Sequence, residues 1–221
     1  MIPQSETDQI ENTILELYKG KSTNEMIDVF ASKSRQDYHL IFSSFALTER
    51  QVANWYGKKD ELFLQELIRR IIRDLKRPSW SVDKITSARD ERMGLRQVGK
   101  SKMYFGGDSV LFKDSQPKCI IQCKEYLDTI RVKELVGESL MLKALTDGAI
   151  HTGPIPLFVV FANVWELTPE WQESVQKLGL RGYIDEFFVV RPGKRKDINA
   201  RPIKAELLRF KGFIEDVIRE N

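Results

Sequence analysis

Residues 106–124 read GGDSVLFKDSQPKCIIQCK, and the fold turns on how this stretch is divided. Apolar runs alternate here with glycine, proline and aspartate, which marks two short strands and tight turns rather than a helix. The reading places strands at residues 102–105 and 109–112 around Gly106-Gly107-Asp108, then a turn at 114–118 containing Pro117. A compact strand follows at 119–123, CIIQC. The turns make these antiparallel neighbours. An apolar strand such as Cys-Ile-Ile belongs in the middle of a sheet, so an amide and an ammonium at Gln122 and Lys124 call for a partner charge. Two residues apart, they project from one face. Asp108 is the acid that the hairpin brings alongside. An acid, an amide oxygen and a lysine converging at a sheet edge suit a hard divalent cation such as Mg2+ and a water.

Outward from the hairpin, helical periodicity dominates. Residues 6–18, 24–31 and 37–45 predict short helices, the first ended by Gly20. Residues 47–57 begin a further helix after the cap Thr48. A break at Gly57-Lys58-Lys59 then leads to a long helix over 60–76, with Asp60 as its cap and Pro78 as its stop. Residues 79–100 are polar, basic and irregular. Beyond the hairpin come a helix at 127–146, a buried strand within 154–162 (LFVVFA), a helix at 168–178, a second buried strand at 187–190 (FFVV) and a closing helix at 203–219. The expected fold is α/β, a mixed central sheet flanked by helices with a helical N-terminal region. Residues 1–59 form that region, and residues 60–221 the core.

Charge narrows the function. The net charge is only +3, but residues 69–102 carry eleven Lys/Arg against four acids, and residues 191–211 carry eight against two. Two basic segments on a nearly balanced chain suggest a local polyanion-binding face. Candidate DNA contacts are Arg89, Arg92 and Arg96 before the hairpin, and Lys194, Arg195, Lys196 and Arg201 after the last strand. No Gly-x-x-x-x-Gly-Lys-Ser/Thr loop is present. With His39 and His151 as the only histidines, zinc fingers, histidine-based nucleases and metalloprotease helices lack ligands. Residues 47–59, LTERQVANWYGKK, faintly resemble the start of a helix-turn-helix, although a core-packing helix pair fits better. Cys119 and Cys123 read as strand core rather than a disulfide. The polar start and the absence of any long apolar run predict a cytoplasmic protein without a membrane span.

Asp108 followed by Gln122-x-Lys124 resembles the PD-(D/E)xK nuclease superfamily, in its variant with glutamine in place of the second acid. The likeness spans roughly residues 60–162. It implies a restriction-endonuclease-like core that cuts double-stranded DNA with Mg2+, as type II restriction enzymes do, acting as a homodimer. A repair or recombination nuclease on branched DNA, or a non-catalytic DNA-binding protein on a degenerate nuclease fold, is the alternative. The chain departs from the pattern twice: Gly107 stands where the family has proline, and Gln122 leaves the site one carboxylate short. The resemblance implies that a helix supplies the missing acid, either Glu66 before the hairpin or Glu138 after it. Glu66 is preferred for its apolar neighbours Phe63, Leu67 and Ile71. The implied metal ligands are then Asp108, Gln122 and Glu66.

Overall fold

Side chains of the hairpin alternate between two cores. Leu111, Cys119 and Ile121 enter one, and Val110, Phe112 and Ile120 enter the other. A strand with both faces apolar must be covered on both sides, and this determines the architecture. A computed structural model describes residues 3–85, 107–146, 156–177 and 182–220. Its elements run α1 (Gln4–Glu16), α2 (Thr23–Ser32), α3 (Arg35–Phe42), α4 (Glu49–Asp74), β1 (Trp80–Ile85), β2 (Gly107–Lys113), β3 (Gln116–Leu127), α5 (Thr129–Thr146), β4 (Leu157–Trp165), α6 (Pro169–Lys177), β5 (Glu186–Val189) and α7 (Lys204–Glu220). The five strands lie in sequence order, β1-β2-β3-β4-β5. The first three pair antiparallel, and β3-β4 and β4-β5 pair parallel through the α5 and α6 crossovers. This is the expected mixed α/β sheet flanked by helices, with a helical N-terminal region.

The two faces differ in what covers them. Residues of α1 to α4 and α7 pack with Val82, Leu111, Ile121 and Phe161 on one side. On the other, α5 and α6 contribute Val132, Leu135, Leu142 and Val175 against Val110, Ile120 and Val160. The N-terminal helices therefore share their core with the sheet.

Three local expectations change. The helix expected to break at Gly57 continues from Glu49 to Asp74, which removes the turn that a helix-turn-helix would need there. Gly57 costs about 1 kcal/mol in a helix interior, but the flanking Trp55, Tyr56, Lys59 and Asp60 are all buried and hold the helix through it. Residues 80–85, read as irregular, form β1, with Trp80 and Val82 on the α4 face. The hairpin's turn is Asp114-Ser115, both at positive φ, so Pro117 lies inside β3. Three helices begin with reciprocal caps, Ser22 with Glu25, Ser34 with Asp37, and Thr48 with Gln51. Both cysteines are free thiols on β3. Among the described residues, no helix is long and apolar enough to cross a membrane.

Candidate active site

Ser109 pairs with Ile121 in the β2–β3 ladder, which sets Asp108 beside Gln122 at the end of the hairpin. Three contacts fix it there. The Cys123 N–H donates to Asp108 Oδ2 at 2.8 Å. Gln65 Nε2, from α4, donates to the Asp108 carbonyl at 3.0 Å. Lys84 Nζ, at the end of β1, stands 3.9 Å from Asp108 Oδ1. Gly107 has its own reason to precede Asp108. A Cβ there would lie 2.6 Å from Val110 Cγ2 and 3.1 Å from Ile120 Cγ2, so only glycine fits without a shift.

Gln122 is buried and shares its face of β3 with Ile120 and, by alternation, Lys124. That face looks toward α5, which brings in Glu138. Burial raises the Glu138 carboxyl above the ordinary glutamate range; Lys124 opposes this and the charge of Asp108 adds to it. Its Oε2 is buried and makes no hydrogen bond among the described residues. Unsatisfied buried carboxylate oxygens are costly, and either a proton or a bound cation would relieve that cost here.

Glu66 is placed elsewhere. It pairs with Arg70 Nε at 2.7 Å, and Arg70 reaches on to the carbonyls of Tyr18 and Lys21 at the end of α1. The structure thus ties Glu66 to the N-terminal helices and does not bring it to Asp108. The α4 acid at the site is Glu61, bonded to Lys84 at 2.5 Å. Burial raises the Glu61 carboxyl, Lys84 lowers it, and Asp108 raises it further. Lys84 responds in kind: burial disfavours its charge, but Glu61 and Asp108 hold the ammonium above the usual lysine value. Sequence reasoning missed both residues. The signal for Lys84 was its period-two spacing from Trp80 and Val82; that for Glu61 was its position one turn before Gln65.

The donor set is oxygen-rich: Asp108, the Gln122 amide oxygen, and Glu138, with Glu61 on the opposite flank. Oxygen donors of this kind fit Mg2+. Among the described residues, however, no three His, Cys, Asp or Glu side chains converge closely enough to hold an ion by themselves. Both thiols are poor ligands here. Burial pushes them above the ordinary cysteine value, and Asp60, Asp108 and Glu61 add to the effect at Cys123.

Of the expected DNA contacts, Arg89, Arg92 and Arg96 lie outside the described residues. Lys194, Lys196 and Arg201 are exposed after β5, and Arg195 is half-buried. The loop is anchored, because Arg195 N–H donates to Glu166 Oε1, and Arg35 donates to the Arg195 carbonyl at 3.0 Å. Compared with known proteins, the sequence matches no family model and no curated protein, so the site is read from its own geometry.

Proposed function

We propose that this protein is a Mg2+-dependent endonuclease that hydrolyses phosphodiester bonds in double-stranded DNA, and that it works as a type II site-specific restriction enzyme. The observation that carries the proposal is Asp108 fixed beside Gln122-x-Lys124 at one end of the sheet, with Glu138 of α5 near enough for the charges of Lys124 and Asp108 to act on it and with its Oε2 unpartnered among the described residues. The order helix, three antiparallel strands, helix, parallel strand supports the resemblance to the PD-(D/E)xK core. Cleavage of both strands at one site calls for two such centres related by two-fold symmetry, hence a homodimer.

Each residue then has a task. Mg2+ supplies positive charge beside the phosphodiester and makes water more acidic. Asp108 offers Oδ1, because its Oδ2 is occupied by the Cys123 N–H. Gln122 offers its carbonyl oxygen, and Glu138 supplies the second carboxylate that Gln122 lacks. Lys124 places an ammonium where negative charge grows on the phosphate in the transition state. Lys84 neutralises Glu61 and Asp108 and keeps the two acids from repelling one another.

Plasmid DNA incubated with Mg2+ tests the reading. Discrete fragments from the wild type, lost in Asp108→Ala and in Lys124→Ala, support it. Tight DNA binding with no cleavage under any divalent metal sinks it. One observation favours a second reading, a non-catalytic DNA-binding protein on a degenerate nuclease fold: no three acidic, His or Cys side chains yet converge among the described residues. A repair or recombination nuclease would instead cut branched substrates in preference to linear duplex.

A further inference from the structure

Gln122 and Lys124 are followed on the same face of β3 by Tyr126, and the structure treats that ring unusually. Arg131 Cζ lies 3.8 Å from its centroid and Arg195 Cζ lies 4.4 Å from it. Both guanidinium groups therefore lie against the one ring. Each guanidinium gains a cation–π contact with Tyr126. Acids fix their orientation: Asp128 pairs with Arg131 at 2.8 Å, and Glu125 with Arg195 at 3.5 Å and Arg35 at 3.0 Å.

Tyr126 and Arg195 line an open groove of about 800 Å3 together with Arg35, Lys194 and Lys196, and Arg131 adjoins it through its contacts with Tyr126 and Asp128. The acids at the groove are already engaged. Glu166 accepts from the Arg195 N–H, and Asp128 accepts from both the N–H and the guanidinium of Arg131. The exposed ends are therefore predominantly cationic. Tyr126 is two residues beyond Lys124, roughly 6.6 Å along a strand. Phosphates of one DNA strand advance about 3.4 Å each along the helix axis. The groove thus lies one or two phosphate steps from Lys124.

We infer that the Arg131–Tyr126–Arg195 stack and its groove form a subsite for backbone phosphates next to the scissile one. The inference rests on the nuclease reading and names residues that its chemistry does not use. Phosphate contacts carry no sequence information, but each releases about one counterion on binding. The subsite therefore has a signature in salt rather than in sequence.

The test is fluorescence anisotropy of the full chain with double-stranded oligonucleotides of several sequences, without divalent metal, over a range of salt. Arg131→Gln and Arg195→Gln should each weaken binding about tenfold on every sequence and lower the slope of log affinity against log salt by about 1. Lys19→Gln removes an equal charge from an exposed position on the N-terminal region and should change neither. Arg131→Gln breaks only the half-exposed pair with Asp128 and one ring contact, so it decides the matter even if Arg195→Gln melts early. An unchanged slope in Arg131→Gln overturns the subsite, as does a wild type that does not bind DNA. The nuclease reading fails separately. Cleavage with unaltered slopes would remove the subsite and leave the enzyme; slope loss without cleavage would do the reverse.

Discussion

Two clusters of charge flank α4, and they solve the same problem in opposite ways. On the side of the N-terminal helices, Lys59 and Asp60 are adjacent, buried and paired with each other. Asn163 of β4 donates to the second oxygen of Asp60, and the Lys59 ammonium lies 4.6 Å from the Tyr38 ring centroid and 5.1 Å from that of Phe30. Both oxygens of the acid are engaged, and what this cluster leaves unpartnered among the described residues is a neutral amide oxygen, Asn163 Oδ1, rather than a carboxylate. At the hairpin end, Asp108, Glu61 and Glu138 are served by Lys84 and Lys124, and Glu138 Oε2 has no hydrogen-bond partner among the described residues. A closed cluster holds a fold together. An open one keeps binding capacity in reserve, and the structure accepts the cost of its unfilled oxygen.

The largest expected effect breaks the closed cluster. Asp60→Ala strands a buried ammonium and should lower stability by about 3–5 kcal/mol, measured by urea unfolding. The double variant Lys59→Met/Asp60→Leu should recover most of that loss; if it does not, the pair is more than a compensated charge. Next, Asp108→Ala should cut DNA cleavage by about 10²–10³-fold with little change in melting temperature, since its side chain accepts one backbone bond. Stability falling as far as for Asp60→Ala would erase the contrast between the clusters.

Glu138→Gln sharpens the comparison, because it should damage function while improving the fold. A carboxyl raised by folding binds its proton more tightly in the folded chain. Its stabilising contribution is full below the unfolded value, about pH 4.3 for glutamate, and fades as pH rises through the raised folded value. Glutamine stays neutral and escapes that loss. The melting-temperature advantage of Glu138→Gln should therefore grow from pH 4 toward 7, while apparent Mg2+ affinity drops about 10–100-fold. An advantage that shrinks with pH contradicts the burial argument. The smallest effect separates the two α4 acids. Glu61→Gln should slow cleavage about tenfold, whereas Glu66→Gln should leave it within about twofold and cost about 1 kcal/mol through Arg70. Equal losses of cleavage would return Glu66 to the site.

Much of this was legible from residue order. Alternation and turn residues in GGDSVLFKDSQPKCIIQCK marked the β2–β3 hairpin, and its polar exceptions marked Asp108, Gln122 and Lys124 as candidates, while the strand expected at 102–105 lies outside the described residues. The apolar runs LFVVFA and FFVV gave the two parallel strands. What stayed hidden depends on pairing across distance. Lys59 and Asp60 look like a helix break and a cap until Asn163, over a hundred residues later, makes them core. Among its described side chains β1 turns two apolar residues inward, Trp80 and Val82, too few for a period-two signal. Apolar neighbours point to Glu66 and give no sign of Glu61. Phe63, Leu67 and Ile71 are buried as expected, but against a core that extends to both sides of Glu66.

The continuity of α4 has one further consequence. Glu61 and Gln65 stand one turn apart and meet β1 and β2, while Glu66, a single residue on, meets the end of α1 through Arg70. Each residue turns a helix by about 100°, so the assignment of acids to tasks is stored in rotational phase. Inserting or deleting one residue between Gly57 and Glu61 would keep the composition and length of the helix nearly intact. It would nonetheless turn Glu61, Gln65 and Glu66 together by about 100°, taking Glu61 and Gln65 off the hairpin and Glu66 off its link to the N-terminal helices.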